Sequence, residues 1–455
     1  MRQDNKHGGV RARWGLWPHL GLGLLAVSLA GCDPDELTNL NDPDDITVAV
    51  ATDTANITEL RNGVLYEFAR AMTGPATNNS TPGIVGISGV MTDEMWYSST
   101  FQGMQEIDRR NMERTNGEVL AVYQYLHRAR NLAERTAEQY ARTSQANSPD
   151  RALVTNLAGF TYVLFAENFC SGVPFSRTDL PGDVTFGAAL TTAQMLDSAV
   201  VRFNAAAALS GDSAQIYLAR VGRGRALLAR GDFAGAAAAV AIVPTTFVSP
   251  VAFSESASSQ NNGIWSNINS ERRSSVASGE GTNGLVYFRR GPAPNTIDVR
   301  TPADSVGAGI GTAFPLYRQN KYSTRGAALP LATGIEARLI QAEAALSKGT
   351  SNAYLATLNQ LRATRGLAAL TDPGNAQARV RQFFSERAFW LWLTGHRLGD
   401  MRRMVREYQL PANTVFPVGQ TIFGSPYGTD VNFPVPITEQ NNPEAPTGQC
   451  IDRNA

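Results

Sequence analysis

Residues 212–243 read DSAQIYLARVGRGRALLARGDFAGAAAAVAIV, a helix, a tight turn and a second helix. Tyr217, Val221, Gly224 and Leu228 recur at helical spacing and share one face. Gly224 is a poor helix former on that face, where its missing side chain lets a partner helix come close. Gly231-Asp232-Phe233 then stops and restarts the chain: Gly suits the positive φ of a helix end, and Asp caps the helix that follows. Phe233, Ala236, Ala237 and Val240 line one face of that second helix. A single pair cannot bury its apolar face, so partner helices are required elsewhere in the chain.

The same period supplies them. Asp53–Met72 carries Ile57, Leu60, Val64 and Phe68 on one face. Asn116–Arg142, Pro149–Asn168 and Thr191–Leu209 read as further helices, through Val119, Val122, Leu126 and Leu132, through Leu153, Leu157, Phe160 and Leu164, and through Met195, Ala199, Phe203 and Ala206. A second pair follows at Gly334–Lys348 and Asn352–Arg365, and Gln377–Glu407 is the longest helical stretch. Thr73–Gly89 is rich in Gly, Pro, Asn and Ser and reads as loop. Val90–Asn111 mixes aromatics and acids without a clear period. Residues 244–331 change character, with many Gly, Ser, Asn and Pro and short strand-like pieces at Gly284–Arg290 and Thr296–Arg300. Phe253, Trp265, Tyr287, Phe288, Phe314, Tyr317 and Tyr322 are too many aromatics for a solvated tail, so this is an irregular insertion packed on the helices.

Residues 1–31 read as a targeting segment. Arg2, Lys6, Arg11 and Arg13 precede the apolar run Leu20–Ala30, which is too short to span a bilayer. Leu29-Ala30-Gly31-Cys32 looks like a bacterial lipobox, in which cleavage leaves a lipidated Cys32 as the new N-terminus. Residues 32–52 form an acidic, Pro-broken tether, with Asp33, Asp35, Glu36, Asp42, Asp44 and Asp45 and no base among them. Residues 53–455 are then read as a single domain. The leader takes four of the 40 basic and one of the 40 acidic residues, so 36 against 39 remain, a formal charge of −3. That balance argues against a nucleic-acid partner. Cys170 and Cys450 are left after Cys32; in an exported protein they are a disulfide candidate, the alternative being two separate thiols.

Catalytic signatures are missing. His7 and His19 leave with the leader, and the distant pair His127 and His396 makes neither a His-rich metal site nor a choice of triads. No HExxH, P-loop or GxSxG occurs, and Gly307-Ala308-Gly309-Ile310-Gly311 has the wrong spacing for a dinucleotide loop. No metal, cofactor or catalytic residue is therefore expected. Asp93/Glu94 and Glu106/Asp108 are the carboxylate clusters a glycosidase would need, but caps and Arg partners are the commoner use of such residues.

The helix pair at 212–243 is similar to a tetratricopeptide (TPR) pair at Gly224, Leu227, Gly231-Asp232-Phe233 and Ala236, with Arg220 and Arg223 standing where that repeat has large apolar residues. Over essentially all of the mature length the chain resembles the SusD/RagB family of outer-membrane lipoproteins. The most specific stretch is Glu386–Arg403, ERAFWLWLTGHRLGDMRR, where Glu386-Arg387, Gly395-His396-Arg397, Asp400 and Arg402-Arg403 match the family pattern and Thr394 replaces its usual Glu. Lys321-Tyr322, the run Glu336–Ala344, and Phe433-Pro434-Val435-Pro436 with Glu439 and Asn441-Asn442-Pro443 match as well. The resemblance implies a mainly α fold, a TPR-like helix-turn-helix scaffold with an irregular loop and short-strand region facing the ligand. It implies a lipid-anchored outer-membrane protein facing the exterior. Such a protein binds oligosaccharide, or in some members peptide, and hands it to a TonB-dependent SusC-like transporter, with no catalysis. His396, Arg397 and Asp400 then read as a buried polar network between helices.

No motif carries the ligand residues. A sugar offers apolar ring faces and hydroxyl edges, so exposed aromatics beside Asn, Asp and Arg mark candidate sites. Asp93–Phe101, with Trp96, Tyr97 and Phe101, and Asn261–Asn269, around Trp265, meet that description. Two other functions compete: an all-α glycoside hydrolase, and a TPR-like envelope scaffold that binds only protein.

Overall fold

In the computed structural model the described residues are 56–77, 81–178, 183–289, 297–445 and 450–455. The expected leader, Cys32 and the acidic tether lie outside them. The first helices are α1 (Ile57–Thr73), α2 (Ile84–Met91), α3 (Gln102–Asp108), α4 (Gly117–Tyr140) and α5 (Pro149–Asn168). They are followed by α6 (Thr192–Leu209), α7 (Ser213–Ala229) and α8 (Phe233–Ala239). After the irregular region come α9 (Gly334–Leu346), α10 (Tyr354–Ala363), α11 (Ala376–Trp390) and α12 (Arg397–Arg406). Their starts carry the expected caps. Asn116, Ser148, Asp212 and Asp232 accept backbone N–H groups of the first turns of α4, α5, α7 and α8, and Thr191 forms a full capping box with Gln194.

Each scaffold helix packs on the next. Helix α1 lies on α4, α4 on α5, α5 on α6, α6 on α7, α7 on α8 and α9, and α9 on α10 and α11. This is the stacking of helix pairs that the lone-pair argument required. Two glycines of α7 set its distance from both neighbours. A Cβ on Gly224 would stand 2.5 Å from a Val240 methyl, and one on Gly222 would stand 2.3 Å from the Phe203 ring of α6. The opening helix therefore has two contact faces, one toward α6 and one toward α8 and α9. Among the described residues no helix is long and apolar enough to cross a membrane.

Three local expectations are corrected. Thr73–Gly89 is not all loop, because Ile84–Met91 forms α2 and every one of its residues is buried. Its Gly and Ser serve close packing, and an all-apolar helix has no amphipathic period to detect. Gln377–Glu407 is not one helix: the chain breaks between α11 and α12, with Leu393 at φ +55° and Gly395 at φ +77°. Distant side chains satisfy the backbone freed by the break. Tyr322 Oη donates to the Leu393 carbonyl at 2.8 Å, Lys321 Nζ donates to that of Trp392, and Leu393 N–H donates to Glu94 at 2.9 Å. The third concerns the irregular region, whose strands are β6 (Val248–Val251), β7 (Ser274–Val276), β8 (Ala303–Ala308), β9 (Pro315–Gln319) and β10 (Leu329–Thr333) rather than the two pieces expected. Residues 290–296, between and within those pieces, lie outside the described residues.

All the strands form two-stranded antiparallel ribbons. Strand β1 (Met95–Tyr97) pairs with β7, β8 with β9, and β6 with β10. The short strands β2 (Val173–Pro174) and β3 (Arg177–Thr178) pair with β5 (Ala189–Leu190) and β4 (Val184–Thr185). Cys170 and Cys450 form a disulfide with 5.9 Å between Cα atoms, and Cys170 N–H donates to the Phe433 carbonyl. The Pro-rich tail is thus strapped to the C-terminal end of α5.

Candidate functional site

Strand β1 holds the first predicted aromatics. Trp96 stands opposite Ser275 of β7, is only 7% exposed, and donates from Nε1 to the Pro315 carbonyl at 3.2 Å. Tyr97 is 1% exposed. Both belong to the core, which corrects the expectation that they are exposed aromatics of a ligand site: a three-residue strand has too few residues to show its period of two. A stacking platform needs a free ring face, and neither residue presents one. Phe101 and Trp265 are half-buried, with the Arg273 and Arg325 guanidinium groups 4.4 Å and 5.3 Å from their ring centres.

Sequence reasoning missed the residue that Trp96 leads to. Tyr317 of β9 is half-buried, its ring 5.5 Å from Trp96 and stacked at 4.2 Å on Phe288, over which Arg289 places its guanidinium. The β8–β9 register sets Asp304 opposite Arg318, and the two form a 2.6 Å ion pair. Asn320 Nδ2 donates to the same carboxylate at 3.3 Å. Successive side chains of a strand face opposite sides, so the Arg318–Asp304 pair lies across the ribbon from the Tyr317 ring, which packs on Trp96 and Phe288. The sequence carried no clear signal of it: along β9 Leu316 and Gln319 are buried while Tyr317 and Arg318 are both partly exposed, a pattern without the strand period of two. The Asn261–Asn269 stretch borders a different cavity, of about 440 Å³, lined by Asn62, Tyr66, Phe253 and Asn261.

The motif residues build the interior. Arg387 binds Asp400 at 2.9 Å, and Arg403 binds Asp400 at 2.8 Å and Glu343 at 2.7 Å. Arg397 forks onto Asp93 at 2.7 and 2.8 Å, and Arg225 of α7 reaches both Glu167 and His396. Burial alone would raise Asp400, but the Arg387 and Arg403 charges overcome it and hold the carboxyl at about 2. Burial and then the Arg225 charge keep His396 below its ordinary value, so the ring is neutral at pH 7. The carboxylates considered for glycosidase chemistry are hydrogen-bond acceptors within the fold, Asp93, Glu94 and Asp108 buried and Glu106 partly exposed. Asp93 also takes Leu285 N–H, Asp108 takes Tyr97 N–H, and Glu106 takes the Asn116 side-chain amide. Glu94, which takes Leu393 N–H, is pushed up to about 7 by burial.

No family model and no curated protein sequence matches the chain. Solved structures do. A SusD superfamily protein from Bacteroides thetaiotaomicron superposes with a TM-score of 0.64 at 13% identity, covering 87% of this chain and 99% of that one. A SusD-like carbohydrate binding protein from Bacteroides fragilis gives 0.63 at 15% identity, covering 88% and 100%. Surface glycan-binding protein A from Bacteroides uniformis gives 0.59 at 12% identity, covering 86% and 98%. The chain has the SusD-like fold. Within this SusD-like scaffold the Glu386–Arg403 stretch is where α11 ends, the chain turns and α12 begins, and its polar side chains tie it to α5, α7 and α9. Those residues are structural. The Tyr317 strip lies instead on the irregular half, among short ribbons that the helix period does not reveal.

Proposed function

We propose that this chain is a lipid-anchored nutrient-binding protein of the outer-membrane surface. It captures oligosaccharide and passes it to a TonB-dependent SusC-like transporter. The observation that carries this reading is the SusD-like fold over 86–88% of the chain, in company with proteins described as carbohydrate-binding and glycan-binding. The lipobox at Cys32 and the acidic tether behind it support the anchor. The half-open Tyr317 ring, held rigid by stacking on Phe288, supports an aromatic contact for the ligand on this half. Phe101 and Trp265 keep partial exposure and are further candidates for contact. Trp96 and Tyr97 act by holding β1, and in Trp96's case the Tyr317 ring, in place.

A glycan and peptide array probed with the full chain tests the reading. Tyr317→Ala should cost about 2 kcal/mol of glycan binding, roughly thirtyfold, with a smaller loss of stability than Trp96→Ala. Trp96→Ala should instead lower stability by about 3–5 kcal/mol. Hydrolysis of an arrayed glycan would point to an enzyme. Binding of peptide or protein alone, unaffected by Tyr317→Ala, would refute the glycan strip. Co-purification of a TonB-dependent barrel with the chain from native membranes tests the transporter step.

A further inference from the structure

Helix α1 turns Ile57, Leu60, Val64 and Phe68 to the core, and all four are buried. At the helical repeat, Asn62, Tyr66 and Ala69 stand on the opposite side, which on a surface helix is ordinarily polar. Here that side carries an apolar strip. Tyr66 is 37% exposed, and its hydroxyl has no hydrogen-bond partner among the described residues. Ala69 and the adjoining Leu65 are half-buried.

The segment 252–261 faces the strip, and the two enclose a cavity of about 440 Å³, within the size range of small-ligand sites. The segment is closed by its own bonds. Ser254 N–H donates to the Gln260 carbonyl at 2.9 Å, and Gln260 N–H to the Ala257 carbonyl at 3.0 Å. With its amide nitrogen turned inward, Asn261 donates to the Ser254 and Ala257 carbonyls at 2.9 and 3.3 Å. Glu255 accepts Gly326 N–H at 3.1 Å and so ties the segment to the chain before β10. A wall bonded in this way is formed before a ligand arrives, which lowers the ordering cost of binding.

The lining is aromatic, amide and hydroxyl. Phe253, half-buried, adds a second ring to that of Tyr66. Asn62 and Gln260 are exposed carboxamides; the Asn62 oxygen meets only Arg61, at 3.3 Å, and the Gln260 amide and the Ser259 hydroxyl have no partner among the described residues. Amides and hydroxyls both donate and accept, as sugar hydroxyls do. Arg70 is the one charged residue among the described lining, and it is engaged: its guanidinium lies 4.5 Å from the Tyr125 ring centre and 3.7 Å from Glu67. A charged ligand would therefore lose hydration with no counter-charge to meet it. A hydrocarbon would leave the amides and hydroxyls without bonds. A pyranose offers an apolar face for a ring and hydroxyl edges for the rest.

We propose that this cavity is a second carbohydrate site, which takes an uncharged pyranose unit with its apolar face on Tyr66 and its hydroxyls toward Asn62, Ser259 and Gln260. This rests on the glycan reading above but uses none of the residues around Tyr317. Isothermal titration of the full chain with maltose, cellobiose, lactose, xylobiose and N-acetyl-L-phenylalaninamide tests it. At least one disaccharide should bind, and more tightly than the capped amino acid. Tyr66→Ala should weaken that sugar about tenfold or more, as loss of an aromatic anchor does, and Gln260→Ala severalfold. Both changes are at exposed positions and should leave the thermal midpoint alone. Tyr317→Ala should leave this binding in place. Unchanged affinity in both cavity variants, or a capped amino acid that binds as tightly as the best sugar, would overturn the proposal. Loss of all disaccharide binding through Tyr317→Ala, with none through Tyr66→Ala, would strike out the second site and leave the glycan reading standing. No binding of any disaccharide here while another glycan binds on the array would do the same, and an array on which no glycan binds would overturn both.

Discussion

Gly222→Ala should destabilise the protein although alanine is the better helix former. Two opposing effects set the outcome. Replacing Gly by Ala inside a helix gains about 1 kcal/mol of propensity. The new methyl carbon, however, would stand 2.3 Å from Cε1 and 2.4 Å from Cζ of Phe203. Carbon pairs rest at about 3.5–4.0 Å, so the ring would have to retreat by more than about 1 Å. It has nowhere to go: Phe203 is fully buried, the same ring edge already lies against Gly159, 2.9 Å from where a Cβ there would be, and Phe160 meets it edge-on at 5.0 Å. Overpacking costs about 1–3 kcal/mol, and contacts this short belong at or above the upper end, leaving a net loss of about 2 kcal/mol. In a chain of this length that is a midpoint drop of roughly 2–4 °C by scanning calorimetry. Gly117→Ala is the control. A Cβ there meets nothing within 4 Å, so the same substitution should raise stability by up to about 1 kcal/mol. Combining Gly222→Ala with Phe203→Leu should cost less than the sum of the two, because the pair is in contact. A midpoint for Gly222→Ala at or above wild type would refute the close-approach account of α6 and α7.

Glu94 holds its proton to about 7 in the folded chain against an ordinary 4.5, so its contribution favours folding at low pH and is lost as pH rises from 4.5 through 7. Glu94→Gln should therefore gain on wild type by up to about 3 kcal/mol between pH 5 and 8 in urea unfolding, and parallel pH profiles for the two would contradict this. Cys450→Ser removes a link across 280 residues and should cost up to about 5 kcal/mol. An unchanged midpoint, with two free thiols titrating in the unreduced wild type, would show that the bond does not form. Cys32→Ala should abolish incorporation of a radioactive fatty acid, and equal labelling of mutant and wild type would sink the lipid anchor.

The scaffold was legible because its helices are amphipathic over many turns. Pro149–Asn168 and the start at Asp212 carry their boundaries in their caps, so periodicity and capping located them without tertiary help. Helix α2 was hidden because burial on all sides erases the period, and the break after Trp390 because its cause lies elsewhere in the chain. Lys321, Tyr322 and Glu94 supply the bonds that let Leu393 and Gly395 leave the helical ladder. The aromatics of the irregular half were visible as residues but not as a site.

By itself, then, the sequence determined the stacked helix pairs, the charge balance and the absence of familiar catalytic motifs, since each depends on residues close together in the chain or on composition. Only the tertiary structure decided which aromatics are core and which face outward. Trp96 and Tyr317 are both aromatic residues in short strands, yet one is covered and the other half-open. That difference arises from the pairing of β1 with β7 and β8 with β9, contacts between segments far apart in sequence, and exposure follows from what lies across a ribbon, which local pattern does not encode.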